Sequence, residues 1–280
     1  MNILIKSAVK NFIIFSTALY ASFSFAQSKL AIVIDDVGYH SKEDAAVFAM
    51  PSEISVAIIP AAPYARVRNQ EAKSQGRDIL IHMPMQPISA IKIEDGGLHL
   101  GMSAAQVNDR VNTAKNIVRD AIGMNNHMGS AATADPQLMT YLMTALQEKH
   151  LFFLDSRTIG KSVAGKIAKE QGVRSLDRHI FLDDSNEFAD VQRQFKAAIH
   201  YARKHGTAIA IGHPRPNTIA VLQAGLRNLP EDIQLVGMGN LWRNEKVIPP
   251  KPFILLFSEM PAPTSIEPFE PVGLLRGVPK

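Results

Sequence analysis

Short apolar runs alternate with stretches of helical periodicity along most of this chain, a rhythm that predicts strands separated by helices. Leu30 to Ile34 is the first apolar run and ends in Asp35-Asp36. Ser41 to Met50 reads as a helix, with Ser41 as its N-cap and Asp44 at the third position beyond it. Ile54 to Ile59 is a β-branched strand stopped by Pro60. Tyr64 to Gln75 is helical, and Asp78 to His82 is a strand broken by Pro84. A long helical pattern follows Ser103 as far as Asp120, with Val107, Val111, Ala114, Ile117 and Val118 at helical spacing.

The alternation continues through the second half. Ile122 to His127, Leu151 to Asp155, Ile180 to Asp183, Thr207 to Gly212 and Ile233 to Val236 read as strands. Asp135-Pro136 opens a helix, because proline suits the first helical position. Ser162 to Gln171, Phe188 to His205 and Thr218 to Asn228 are the later helices. Four- to six-residue apolar runs between amphipathic helices mean a mainly parallel sheet covered by helices. About eight such strands either close as a barrel or spread as a doubly wound sheet, and periodicity does not separate the two. Pro87 to Gly101 breaks the rhythm as a long loop containing Gly96-Gly97. Residues 246–280 are proline-rich and aperiodic, and the expectation there is an extended or disordered tail.

Composition narrows the possibilities. The chain has 280 residues, 46% hydrophobic and 20% charged, which is enough to bury a full core. Its net charge of +4 is spread out, with no basic stripe interleaved with aromatics, so nucleic acid is not an expected partner. The absence of cysteine excludes thiolate metal clusters, a cysteine nucleophile and disulfides. Lys6 and Lys10 precede an apolar run from Phe12 to Phe25, and Ser24-Phe25-Ala26 is a small-x-small cleavage site. Residues 1–26 therefore read as a cleaved signal peptide, too short for a bilayer span, and the mature chain would begin at Gln27. No later segment is long and apolar enough to cross a membrane. The expected location is the periplasm or outside the cell.

Candidate chemistry collects where the strands end: Asp35-Asp36, His82, His127, Asp155, Asp183-Asp184 and His213. In parallel α/β folds all strand C-termini share one face, so these distant residues converge. Adjacent carboxylates at Asp35-Asp36 repel unless a cation is present, and neighbours on an extended chain point opposite ways. One would then bind a metal while the other faces substrate as a base. His82 and His127 are natural ligands for zinc or a similar ion; the alternative for each is a structural histidine. His213, fixed between Gly212 and Pro214, suits a general acid or simply a turn. Asp155 orients another residue or binds substrate, and Arg157 is its nearest charge partner. Asp183 and Asp184 default to a solvated loop. The sequence contains no phosphate-binding glycine loop, no dinucleotide fingerprint and no nucleophile elbow.

Taken together, Ile34-Asp35-Asp36-Val37-Gly38, His82-Met83-Pro84-Met85, Asn126-His127-Met128-Gly129-Ser130, Leu154-Asp155-Ser156 and Ile211-Gly212-His213-Pro214 resemble the divergent polysaccharide deacetylase family, a distant relative of the NodB-type deacetylases. The resemblance runs from about Leu30 to Trp242. It implies a deformed (β/α) barrel of about seven parallel strands over residues 27–245. By position it implies Asp35 as catalytic base, Asp36 and His127 as metal ligands, and His213 as general acid. Ala131 stands where those deacetylases carry a second histidine, and their Arg-Pro-x-aromatic motif is not found. His82 is the replacement, giving Asp36, His82 and His127 around a divalent metal, zinc by preference. The expected activity is hydrolysis of the acetamide C–N bond in an envelope carbohydrate polymer, with Asp155, Arg157 and Asp184 as substrate-binding candidates. The alternative is a non-catalytic glycan- or protein-binding member of the same fold.

Overall fold

The computed structural model describes residues 27–244, together with 265–266 and 270–271. The expected signal peptide lies outside the described residues, as does the expected tail apart from those four. The chain divides into two compact units, residues 1–245 and 246–280. The second is described only as an antiparallel pair, Ser265–Ile266 with Glu270–Pro271.

The strands of the first unit are β1 (Ser28–Val37), β2 (Ser55–Ile58), β3 (Ile79–Met85), β4 (Gly123–Met128), β5 (Phe152–Asp155), β6 (Ser175–Asp177), β7 (Ile180–Phe181), β8 (Thr207–Gly212) and β9 (Ile233–Val236). The helices are α1 (Ser41–Phe48), α2 (Ala65–Ser74), α3 (Ala104–Ile117), α4 (Pro136–Glu148), α5 (Ala164–Glu170), α6 (Phe188–His205), α7 (Pro216–Arg227) and α8 (Met238–Arg243). The strands form one sheet in the order β6-β5-β4-β3-β2-β1-β8-β7, with β9 also pairing β1. Every pairing in it is parallel. This is a barrel-like α/β fold left open as a half-barrel. Its two end strands, β6 and β7, are adjacent in sequence but not paired with each other among the described residues.

The central strands are buried on both faces, which is why they read as continuous apolar runs: Leu30 to Ile34 and Ile79 to Ile81 are all at most 1% exposed. β4 passes so close to Trp242 that a Cβ on Gly123 would lie 2.8 Å from the indole ring. That ring is fully buried, stacks on Phe152 and donates Nε1–H to the Phe153 carbonyl. Glycine is what this close approach requires.

Three local expectations are corrected. Ser41 does not cap α1; His40 holds the cap position without a side-chain bond. Asp44 instead turns inward, accepting hydrogen bonds from Gly38 N and Arg68 Nε. Pro84 does not break β3, which runs on to Met85. The β2 ladder already ends at Ile81, and the Pro84 carbonyl accepts from Leu98 N. The missing N–H therefore faces a loop rather than the β4 ladder. Finally, α8 and β6 form where no element was expected, each too short for its period to register. Ser103 and Asp135, by contrast, cap α3 and α4 through their side chains.

Candidate metal centre

β1 delivers two adjacent carboxylates to the same place, contrary to the alternation expected of an extended chain. Between Ile34 and Val37 the chain advances three residues while β2 advances two, from Val56 to Ile58. This bulge puts Asp36 at φ 56°, in the left-handed region. Aspartate tolerates that region better than most residues, at a cost of about 1–3 kcal/mol. The side chains of both residues consequently reach His82: Asp35 Oδ2 lies 3.5 Å and Asp36 Oδ1 3.2 Å from its Nε2.

Pairing of β3 with β4 sets His82 opposite Asn125 and Pro84 opposite His127. Asn125 is fully buried. Its Oδ1 lies 2.8 Å from His82 Nδ1, while its Nδ2 donates to Asp35 Oδ1 at 2.9 Å and to Ser156 Oγ at 3.3 Å. With the amide so oriented, Nδ1 of His82 is a donor to Asn125 and Nε2 is the ring atom turned to the cluster. His127 Nδ1 sits 2.9 Å from Asp36 Oδ1 and 3.2 Å from His82 Nε2.

His213 follows β8, where Gly212 pairs with Ile34, and so stands beside the β1 carboxylates. Its Nδ1 donates to Asp183 Oδ1 at 2.8 Å, and its Nε2 lies 3.7 Å from Asp36 Oδ2. The other oxygen of Asp183 accepts from His213 N and Thr218 Oγ1, both at 2.7 Å.

The charges follow from these contacts. Burial raises the Asp35 carboxyl above its ordinary range, against the opposing pull of His82 and His213. Burial also pushes Asp36 upward, but the imidazoles of His127 and His82 outweigh it and hold the carboxyl well below the usual range. His82 is disfavoured as a cation by burial, yet Asp35 and Asp36 push it up to about 9. Burial likewise opposes charge on His213, and Asp183 overcomes it, raising the imidazole. Asp183 is itself lowered: burial works against its ionisation, and the bonds from His213 and Thr218 prevail.

Asp36, His82 and His127 each offer one ligand atom, all within 4.8 Å of one another. The donor set fits a divalent cation such as zinc: one carboxylate oxygen and two imidazole nitrogens. Asp36 Oδ1 provides the physical test. It is covered from solvent and completes no hydrogen bond, although two imidazole nitrogens lie close to it. A buried carboxylate oxygen in that state calls for a positive charge, which a proton on His82 supplies in the metal-free chain and a cation would supply in its place.

The remaining sequence candidates are placed differently. Asp155 is fully buried, its oxygens taken by Arg157 N at 2.8 Å and Ser162 Oγ at 2.6 Å. Arg157 stands between Asp155 and Asp177, 4.0 and 3.9 Å away. Asp184 is exposed, and Asp183 is the member of that pair that turns inward. A cavity of about 450 Å³ opens over the cluster, lined among others by Asp36, Tyr39, Glu94, His127, His213 and Arg215. Asp155, Arg157 and Asp184 are not among its lining residues. Sequence reasoning passed over Asn125 and Glu94. Two consecutive amides in a short buried strand were the available signal for the first, and the acidic group within the long loop for the second.

Residues 32–242 match the family described as divergent polysaccharide deacetylase, and the chain belongs to that family. A protein of Haemophilus influenzae is 96% identical over 280 residues, covering all of both chains. YibQ of Escherichia coli is 43% identical over 245 residues, 86% of this chain and 77% of its own. The crystal structure of ATU2773 from Agrobacterium tumefaciens has the same fold, with a TM-score of 0.73 at 21% identity over 78% of this chain and 90% of its own.

Proposed function

We propose that the protein is a zinc-dependent hydrolase that removes N-acetyl groups from an amino-sugar polymer of the cell envelope, acting in the periplasm or outside the cell. One observation carries this reading: Asp36, His82 and His127 converge with an unpartnered carboxylate oxygen, directly beside Asp35 and His213. Family membership supports a carbohydrate polymer as substrate. Export rests on the apolar segment and cleavage site within residues 1–26.

Asp36, His82 Nε2 and His127 Nδ1 would hold the ion. Bound zinc supplies positive charge that polarises an amide carbonyl and acidifies water. Asp35 takes the proton of the attacking water. The Asn125 amide donates to Asp35 Oδ1 and keeps the carboxylate aimed. His213 gives the proton from Nε2 to the departing nitrogen, while Asp183 holds the opposite ring nitrogen and favours the charged imidazole. Water adds to the acetamide carbon, the C–N bond breaks, and acetate and a free sugar amine leave. Tyr39, Ile59 and Pro214 give the cavity an apolar wall for a sugar face.

The test is acetate release from N-acetylated amino-sugar polymers by the zinc-loaded full chain, with metal content measured alongside. The wild type releases acetate. Asp35→Asn keeps the metal and loses the activity, whereas Asp36→Ala loses both. A wild-type protein that binds glycan, holds no metal and releases no acetate would replace this reading with the non-catalytic one.

A further inference from the structure

The long loop Pro87–Gly101 is not a passive connection. It is stitched to the end of β3 by Leu98 N donating to the Pro84 carbonyl at 2.8 Å and Gln86 N donating to the Leu98 carbonyl at 2.9 Å. Ile88 N is held by Ser130 Oγ and Leu100 N by Gln86 Oε1, both at 2.9 Å. Ile93 and Leu98 are buried, so the loop is anchored on both sides of Glu94. Gly97 closes the turn without room for a side chain: a Cβ there would meet the Ile93 side chain and lie 3.0 Å from the Pro84 carbonyl and 3.1 Å from that of Glu94. This anchoring fixes where one carboxylate goes.

Glu94 Oε1 lies 3.5 Å from Nε2 of His127, on the side of the ring opposite the cluster. Its Oε2 is covered from solvent and has no hydrogen-bond partner among the described residues. We infer that Glu94 is a positioning residue for His127: it accepts the Nε2–H and so reserves the Nδ1 lone pair for the metal. This rests on the reading of the cluster as a metal site.

The physical argument has two parts. A neutral imidazole carries one N–H, and an acceptor beside Nε2 holds the proton there. A separation of 3.5 Å is an ion-pair distance rather than a completed hydrogen bond, and the inference requires the contact to shorten when the ion binds. In addition, a covered carboxylate with an unpaired oxygen is costly next to a neutral ring. Positive charge on the far side of that ring polarises the N–H and offsets the cost. Carboxylate–histidine–metal arrangements work this way, and their loss typically weakens metal binding about 10- to 100-fold. The loop thereby becomes part of the metal site, although no barrel strand supplies Glu94.

The experiment compares the full chain with Glu94→Ala and Glu94→Gln. Zinc affinity is measured by competition with a chromophoric chelator. The His127 tautomer is read by long-range proton–nitrogen NMR at alkaline pH in metal-free protein carrying Asp36→Ala, with and without each Glu94 substitution, because Asp36 Oδ1 at 2.9 Å otherwise competes for a proton on Nδ1. The expected result is a zinc affinity about 10- to 100-fold weaker in Glu94→Ala, with loss of the Nε2–H preference. Glu94→Gln, which keeps an acceptor oxygen, restores the tautomer and recovers part of the affinity. Thermal unfolding of the metal-free variants is expected to match the wild type, which a merely structural glutamate would not allow. Wild-type affinity and an unchanged tautomer in Glu94→Ala would overturn the inference. Failure of the wild type to bind zinc would overturn the metal site itself, and the tautomer measurement would still decide whether Glu94 orients His127.

Discussion

The two ends of β3 handle buried polar groups in opposite ways. Just before the strand, Arg77 is 5% exposed, and its guanidinium donates to the carbonyls of Phe48, Met50, Pro51 and Ile54 and to Gln75 Oε1. Those five hydrogen bonds use all of its donors. Toward the other end, His82 faces Asp35, Asp36 and His127, and the cluster keeps an oxygen, Asp36 Oδ1, with no hydrogen bond. The first arrangement is complete in itself and ties the α1–β2 connection to β3. The second leaves one oxygen short, and on the proposed reading an added cation completes it. Arg77, with every donor used within the chain, marks structure, whereas the oxygen left short beside two imidazoles is where a cation would sit.

The comparison breaks most visibly if Arg77 also matters to the metal. Arg77→Ala leaves three buried carbonyls, and that of the exposed Pro51, without this donor and is expected to cost about 3 kcal/mol in urea unfolding. Zinc affinity of the protein that remains folded is expected to stay at the wild-type value, and a parallel loss of affinity would dissolve the distinction. Asn125→Leu acts at the upper end. It keeps the volume but leaves His82 Nδ1–H and Asp35 Oδ1 unpaired, so zinc affinity is expected to fall about 10- to 100-fold, measured by chelator competition.

The most gradual effect is the one with pH, about tenfold for each unit, and it carries a sign. His82 is pushed from 6.5 up to about 9, so on the proposed reading zinc would have to displace a proton at neutral pH. Apparent zinc affinity is expected to rise about tenfold per pH unit, levelling near the raised pKa. The contribution of charged His82 to folding runs the other way. It is fully present below the unfolded-state pKa and is lost as pH rises through about 9. Metal-free stability and zinc affinity should therefore move in opposite directions over this window, by urea unfolding and chelator competition respectively. Arg77 has no part in either trend.

The elements legible in the sequence were those with a strong period or a chemical stop. α6 spans Phe188–His205 as its pattern predicted, and Ser103 and Asp135 marked the starts of α3 and α4. Pro84 misled, because a proline is read as a break unless the side of the strand it faces is known. The alternation of Asp35 and Asp36 misled for a similar reason. The bulge that turns both inward exists only through pairing with β2. Asn125 carried little signal, since its role depends on lying opposite His82 in the β3–β4 register.

By itself the sequence determined the parallel α/β plan, the polar residues at the strand ends and the donor types suited to a divalent cation. Those are properties of local pattern and side-chain chemistry, which each segment carries alone. Tertiary structure decided which candidates meet: Asp183 rather than Asp184 turns inward to His213, Asp155 is spent on its own loop, and Glu94 arrives from a distant turn. Such choices depend on register, a backbone bulge and loop anchoring. They are set by contacts between residues far apart in the chain, so no single stretch of sequence encodes them.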